Sequence, residues 1–544
     1  MCEVFQATVA EHPEMVALRT PGGGTEITYR EYSDRVRSIA AGLAEIGVGR
    51  GDTVGVMMLN RPDFNLVDTA ALHLGATPFS IYNTSSPEQV AYLFGNAGNR
   101  IVITERQFLE VIDAARVAGI EHTVCIDAGP EGTLTLDELE AGGDPDFDFE
   151  AAWRAVEPDD LVTLCYTSGT TGPPKGVQLT HANLVAEVRG VFDAIGYEPG
   201  ERAVSYLPHA HMADRFTGHY GPMAYGETVT VVADPREVIA ALPEAKPTVW
   251  VAVPRIWEKL KAALEAQGVT DPAAMPEEAR AAVRAKLGLG EVRVSFTGAA
   301  PTPIEVLRYF DDLGISICEV WGMSELTCVA TTNPPYAPRL GTVGRPIPGV
   351  ELKLADDGEL LARGPILMAG YRHDPEKTAE AIDPEGWLHT GDVAEIDADG
   401  FVTIVDRKKE LIINAAGKNM SPANIEARLK TSSPLIGQAI CIGDRRPYNT
   451  ALIVLDPDVG AEWASERDLD PSTAALAADA SVLEEVERGV AEANSHLSRV
   501  EQVKRFKVLG VDWLPGADEL TPTMKLKRKP IAEKYADEIE SLYD

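Results

Sequence analysis

Short apolar runs alternate with alanine-rich amphipathic stretches over the first 330 residues of this chain, and that alternation leaves few architectures open. TEITYREYSDRVRSIAAGLAEIG, from Thr25 to Gly47, reads as a strand feeding a helix that Gly47 stops. GDTVGVMMLN is the next strand, followed by a helix through Leu72. RIVITE, HTVCID, VTLCYT, TVTVVA, TVWVAVP, VRVSFTGAA and SICEVWG are further strands. Strands separated by helical segments predict parallel sheets covered by helices. Residues 137–160 read as an acidic, irregular surface excursion. The texture changes after Gly341, where Gly, Pro and short alternating stretches predict twisted antiparallel strands. A smaller α+β unit is predicted to begin near Asp406-Arg407-Lys408-Lys409.

With 544 residues, the length prior is about two to four domains. No uninterrupted apolar run approaches the roughly 20 residues that cross a bilayer. The first residues, MCEVFQATVAEHPEM, lack a basic region followed by an apolar stretch, so no signal peptide is expected. Six cysteines, at 2, 125, 165, 318, 328 and 441, show no ligand-like spacing and fit a reduced cytoplasm. The 84 acids against 49 bases, a net charge of −35, oppose general nucleic-acid binding, which depends on Lys and Arg neutralising phosphate. An anionic ligand therefore needs a local positive site.

Residues 166–176, YTSGTTGPPKG, supply one. Hydroxyl side chains, three glycines and Lys175 offer flexible N–H groups, rotatable O–H donors and a movable positive charge. On spacing alone, a polyphosphate cradle and a plain glycine-rich connector both stay open. A Walker A loop needs GxxxxGK and then Ser or Thr. Counted from Gly169, Pro174 stands at the second Gly and Gly176 follows Lys175, which weakens the kinase or ATPase reading. Pro173 and Pro174 donate no N–H, so phosphate contacts fall on Thr167, Ser168, Gly169, Thr170, Thr171, Gly172 and Lys175.

YTSGTTGPPKG closely resembles the phosphate loop of adenylate-forming enzymes, the superfamily of acyl-CoA synthetases, luciferases and peptide-synthetase adenylation domains. Further motifs follow in that family's order along essentially the whole chain. The resemblance implies an α/β fold: a large N-terminal region of helix-covered sheets with a distorted antiparallel β subdomain, then a small mobile α+β C-terminal domain. The boundaries expected are 1–405, with the β-rich part at about 341–405, and 406–544, with the hinge near 406–409 and Lys409 absorbing the rotation. Gly298, Ala299 and Ala300 would line the adenine pocket. Trp321-Gly322-Met323-Ser324-Glu325 is similar to the family's aromatic-Gly-x-Thr-Glu motif, with Trp for the usual Tyr and Ser for Thr. The indole would stack on adenine, Ser324 would lie near phosphate and Glu325 would hold Mg2+. Asp392, in Thr390-Gly391-Asp392, would clamp the ribose hydroxyls, and Arg407 would contact the nucleotide.

LTPTMKLKR, from Leu520 to Arg528, resembles the loop that carries the adenylation lysine, here Lys525; the family often has Gly where this chain has Met524. Lys527 and Arg528 read as surface charges or secondary anion contacts. Gly417 and Lys418 belong to the segment that would face coenzyme A. Thr170, His211, Glu325 and Lys525 are the catalytic candidates.

The stretch SYLPHAHMADR, 205–215, looks like the LPLAHxxER signature of long-chain fatty acyl-CoA synthetases, with His209 for Leu and Asp214 for Glu. His211 matches the histidine near the carboxylate. A His209/His211 metal site lacks a third ligand nearby. PTVWVAVPRIWEKL at 247–260 and GDRRPYNTALIVLD at 443–456 also look like long-chain members. The resemblance implies ATP-dependent ligation of a long-chain fatty acid to coenzyme A through an acyl-adenylate, with Mg2+ as cofactor. The partners expected are fatty acid, ATP and coenzyme A, with transient access to a lipid surface from the cytoplasm and no nucleic acid. A fatty acyl-AMP ligase loading a carrier protein and a catalytically silent acyl or nucleotide binder are the alternatives.

Overall fold

The strand Thr53–Met57, buried along its whole length, lies inside a five-stranded sheet. Its parallel order runs Thr77–Ser80, Thr53–Met57, Ile101–Thr104, His122–Cys125 and Leu134–Thr135. A near-continuous apolar strand is what burial on both faces selects. The computed structural model describes residues 1–115, 119–127, 129–130, 133–167, 173–414, 419–521 and 524–544. Ser168, Gly169, Thr170, Thr171, Gly172, Gly417 and Lys418 lie outside the described residues.

A second sheet joins Val249–Val251, Val294–Thr297 and Ile317–Trp321 in parallel and then Thr331–Thr332 and Arg345–Pro346 antiparallel. A third pairs Arg202–Ser205, Thr228–Val231 and Val16–Arg19 in parallel, with Glu26–Thr28 antiparallel at its edge. Helices cover these sheets. Tyr29–Glu45 starts from a reciprocal capping box between Thr28 and Glu31, satisfying two N–H groups that the first turn leaves open. The second sheet buries Trp250, Trp257 and Phe310 without solvent contact.

The stretch after Gly341 forms the expected antiparallel sheet, ordered Glu351–Leu354, Glu359–Arg363, Leu388–Ile396 and Val402–Arg407. The architecture is thus a large N-terminal α/β domain with mixed sheets and a smaller C-terminal α+β domain. In the latter, Ile436–Ile442, Asn449–Leu455 and Val503–Leu509 form a sheet, with the helices Pro422–Ser432 and Ala480–Ser495 packed on one cluster with it. It rests on the larger domain through Arg255–Asp456, Arg428–Glu305 and Lys259–Asp458, the last at 3.2 Å.

The segment 137–160 departs from expectation. It carries the helices Leu136–Ala141 and Phe149–Arg154, which return Leu136, Leu139 and Phe149 to the core, Phe149 stacking on His73 at 5.2 Å. Phe147, Ala152, Trp153 and Val156 pack partly buried against the same core, so a few apolar side chains among many acids anchor the segment. All six cysteines are free, and among the described residues no helix is long and apolar enough to cross a membrane.

Candidate functional site

The strands on either side of residues 168–172, Leu161–Thr167 and Lys175–Thr180, pair antiparallel, so that Thr167 sits directly opposite Lys175. A Walker loop leads instead from a strand into a helix, and this hairpin removes that reading. Lys175 leaves the hairpin with its Nζ 4.6 Å from the centre of the Tyr371 ring. The Tyr371 hydroxyl donates to Oε1 of buried Glu325 at 2.9 Å.

Glu325 and its neighbours sit where two parallel strands end. Val294–Thr297 runs into Gly298, and Ile317–Trp321 into Gly322. A Cβ on Gly298 would lie 2.8 Å from Val320 Cγ2, and one on Gly322 would lie 1.8 Å from the Cys328 carbonyl oxygen. Only glycine fits at 322, which lets the chain double back and set Ser324 beside the phosphate-loop strand. There Ser324 Oγ and Cys165 Sγ are 3.3 Å apart. Ala299 holds a left-handed backbone, φ +68°, at the same strand end.

Asp392 closes this edge from the antiparallel sheet. Trp321 Nε1 donates to its Oδ2 at 2.7 Å, and Arg407 Nε reaches its Oδ1 at 2.8 Å from the facing position on the next strand. Burial raises the Asp392 pKa, and Arg407, the indole N–H and Lys525 work against that rise. Immediately before Arg407, Asp406 accepts from the Arg407 N–H at 2.6 Å, and its other oxygen accepts from Ser421 and, at 3.3 Å, from the Ala423 N–H. One carboxylate thus ties the last strand of the large domain to the first long helix of the small one. Lys409, three residues on, is exposed.

The C-terminal domain delivers Lys525 on a tight loop. Leu520 pairs with Leu526, the Thr521 N–H donates to the Lys525 carbonyl at 2.8 Å, and the Lys525 N–H donates to Thr521 Oγ1 at 3.0 Å. Met524 holds φ +65°, the conformation for which the family's usual glycine is suited. The Lys525 ammonium keeps solvent contact while surrounded by protein, the position of a group lining an open cleft. Desolvation, then Arg407, lower its pKa; Asp392, Glu410 and Glu325 oppose them. The same ammonium acts on His211, whose pKa falls to about 4, mainly from burial and then from Lys525, with Asp214 opposing. His211 is therefore neutral at pH 7, with Nδ1 accepting from the Ala213 N–H at 3.1 Å at the head of the helix Met212–Arg215. That helix is pinned by Arg215 and His219, both bonded to buried Asp68.

Glu325, Asp392, Arg407, Lys525 and His211 thus come together from both domains. Residues 5–372 match the family model described as AMP-binding enzyme, and residues 409–544 match that of the AMP-binding enzyme C-terminal domain.

The chain belongs to the AMP-binding enzyme family.

Among its relatives, a protein of Mycobacterium tuberculosis (strain ATCC 25618 / H37Rv), provisionally named fatty-acid–CoA ligase fadD11, is 52% identical over 76% of this chain and 79% of its own length. The long-chain-fatty-acid–CoA ligase FadD15 of the same strain is 35% identical over 96% of this chain and 93% of its own. In fold, the anthranilate CoA ligase AuaEII in complex with anthranoyl-AMP is similar with a TM-score of 0.80 at 22% identity, covering 99% of this chain and 98% of that one. As a member of the AMP-binding enzyme family, this protein is an ATP-dependent, acyl-adenylate-forming ligase.

Three details of this AMP-binding enzyme lay beyond local sequence patterns. Tyr371, between Lys175 and Glu325, enters the site because Gly370–Tyr371 pairs with Val177 and Gln178, a contact across almost 200 residues that leaves no mark in the surrounding composition. The departures His209 and Asp214 touch each other, Nδ1 to Oδ2 at 2.8 Å, while the His209 ring stacks on Phe64 at 3.6 Å. Arg528, expected as a surface charge or a secondary anion contact, is instead held by buried Glu426 and by Glu410 inside the small domain.

Proposed function

We propose that this protein joins a long-chain fatty acid to coenzyme A in two half-reactions, with domains parting near 405/406 and the hinge at 406–409. In the first, a carboxylate oxygen attacks the α-phosphorus of ATP, the bond from that phosphorus to the bridging oxygen breaks, and pyrophosphate leaves. In the second, the coenzyme A sulfur attacks the acyl carbonyl and AMP leaves. The observation that carries the reading is the position of Lys525, brought by the small domain to a cleft it shares with Glu325, Asp392 and His211. The relatives named as fatty-acid–CoA ligases, aligned over most of the chain, support the substrate class.

Within this reading, residues 167–172 and Lys175 bind the triphosphate, with Thr170 at the transferring phosphoryl group. Gly298, Ala299, Ala300, Trp321 and Gly322 hold the adenine, Ser324 lies by the phosphate, and Asp392 with Arg407 binds the ribose. Lys525 places positive charge on the phosphoryl oxygens as negative charge develops there. Neutral His211 orients the acyl carboxylate without adding charge. Gly417 and Lys418 meet coenzyme A after Lys409 allows the small domain to turn. Closure of that domain keeps water from the mixed anhydride.

Glu325 fits a magnesium ion. Tyr371 takes one carboxylate oxygen and leaves the other, and among the described residues no cluster of three ligating side chains competes. Mg2+ is typically bound by one or two carboxylates, with water and substrate phosphates completing its shell. When bound, it neutralises phosphate charge. The setting is the cytoplasm, with transient contact at lipid surfaces to collect substrate.

The test is a pyrophosphate-release assay with palmitic acid, run with coenzyme A and, separately, with a phosphopantetheinylated carrier protein. Palmitoyl-CoA as the thioester product is expected. Thioester formed on the carrier protein and not on coenzyme A would overturn the choice of acceptor.

A further inference from the structure

The loop that carries Ser324 and Glu325 contains a backbone conformation that its own sequence disfavours. Thr327 holds φ +62° and ψ −61°, and the Cys328 N–H donates to the Leu326 carbonyl at 2.7 Å. Together these make a γ-turn of the rare, strained form. A β-branched residue at positive φ is an outlier, because its Cβ substituents crowd the backbone. Such a conformation persists only where the surroundings enforce it. Its effect is to reverse the chain. The Ala330 N–H reaches the Trp321 carbonyl at 2.9 Å, and the Cys328 carbonyl comes to lie over Gly322.

Thr327 is buried, and its Oγ1 donates to the Ile366 carbonyl at 2.7 Å. Ile366 is itself fixed, since Asn183 Nδ2 donates to the carbonyls on either side, Pro365 at 2.8 Å and Leu367 at 2.9 Å. Further along the same segment, the Met368 N–H donates to the Glu325 carbonyl at 2.9 Å, and the Tyr371 hydroxyl holds Glu325 Oε1. Past the turn, the Val329 N–H donates to Oε1 of buried Glu187 at 2.5 Å. Asn183 and Glu187 lie on one helix, His181–Ile195, which directly follows the strand that carries Lys175. That helix and residues 365–371 thus hold the Glu325 loop from two sides, and the Thr327 hydroxyl is the bond made from within the turn.

We propose that Thr327 is a positioning residue for Glu325: its hydroxyl locks the strained turn, and the turn aims the carboxylate that takes Mg2+. This rests on the reading of Glu325 as the Mg2+ carboxylate and adds the residue that directs it. Losing the hydroxyl leaves the Ile366 carbonyl unpaired in the interior and frees the backbone to relax to negative φ. Glu325 then loses its direction, while Trp321 and Asp392, joined by their own bond, keep theirs. Changes to groups that support a metal ligand lower metal affinity without removing the ligand itself.

The experiment measures binding of α,β-methylene-ATP by calorimetry, with Mg2+ and with EDTA, in the wild type, Thr327→Val, Thr327→Gly and Thr327→Ser. Thr327→Val keeps the shape and loses the donor. Thr327→Gly also loses the donor but accepts positive φ, and it carries the test where the valine variant does not fold. Mg2+ should tighten binding to the wild type. Losing the donor should cut that tightening about tenfold, with affinity in EDTA changed by less than about twofold, and Thr327→Ser should retain it. Equal tightening in all four proteins would overturn the inference alone. So would an EDTA affinity that falls as far as the Mg2+ one, a serine variant as impaired as the valine one, or failure of both donor-less variants to fold, each of which marks a merely structural role. No effect of Mg2+ on the wild type would overturn the Glu325 reading and the inference with it.

Discussion

The indole of Trp321 donates its N–H to Asp392 at 2.7 Å, joining the residue proposed to stack on adenine to the one proposed to bind ribose. The other Asp392 oxygen is held by Arg407 at 2.8 Å. The family's usual tyrosine has no N–H at this point of its ring, so tryptophan brings a donor of its own to the clamp. A buried carboxylate held on both oxygens is fixed in direction before a nucleotide arrives.

Trp321→Phe keeps an aromatic face and removes that donor. The expected result is an ATP KM raised about tenfold, in line with a hydrogen bond to a charged group worth roughly 1.5–3 kcal/mol, with a smaller change in kcat. Steady-state kinetics with varied ATP provides the measurement. An unchanged KM would remove the indole N–H from nucleotide binding.

Lys525→Ala is expected to slow pyrophosphate release by about 10²–10³-fold, the scale of losing one preorganised charge contact to a transition state. Thioester formation from supplied acyl-AMP should change by far less, because the lysine loop is assigned to the first half-reaction alone. Single-turnover assays of the two steps check this. Equal losses in both would contradict the assignment.

Much of this arrangement is legible in sequence because it is local. The short apolar run in GDTVGVMMLN reads as the strand found at Thr53–Met57, and the amphipathic stretch before Gly47 reads as the helix found at Tyr29–Glu45. The strand-end glycines stand in motifs whose close contacts, such as that of Gly322 with the Cys328 carbonyl, require them. What could not be read were pairings made by the fold. Trp321 and Asp392 are 71 positions apart, and nothing around either one encodes the bond. The helices in 137–160 escaped notice because acids dominate the composition there, while the apolar side chains that carry the packing, Leu136, Leu139 and Phe149 buried with Phe147 and Trp153 beside them, are scattered among those acids.

Met524 occupies φ +65°, where a side chain costs about 1 kcal/mol relative to glycine. Met524→Gly should therefore leave adenylation intact and the melting temperature unchanged or slightly raised. Met524→Val, whose branched Cβ tolerates this conformation poorly, should displace Lys525 and reduce pyrophosphate release. Parallel melting and activity measurements check both, and equal behaviour of the two variants would show that the loop backbone does not govern Lys525.

His209 and Asp214 should behave as a unit. Asp214 also accepts from Ser205 Oγ at 2.8 Å and from the Tyr206 and Leu207 N–H groups at 3.2 and 3.1 Å, so it stays anchored when His209 is removed. His209→Leu and Asp214→Asn should each destabilise the protein, and the double variant by less than their sum, with a coupling of about 0.5–3 kcal/mol. Urea denaturation of the four proteins measures the coupling. Additive effects would show that the contact contributes nothing.

The central claim is that one cleft performs both half-reactions on a fatty acid. Mass spectrometry of a reaction containing the protein, palmitic acid, ATP, Mg2+ and coenzyme A tests it most directly. Palmitoyl-CoA and AMP are expected in equal amounts, with palmitoyl-AMP accumulating when coenzyme A is omitted. ADP in place of AMP, or pyrophosphate release with no thioester formed, would contradict it.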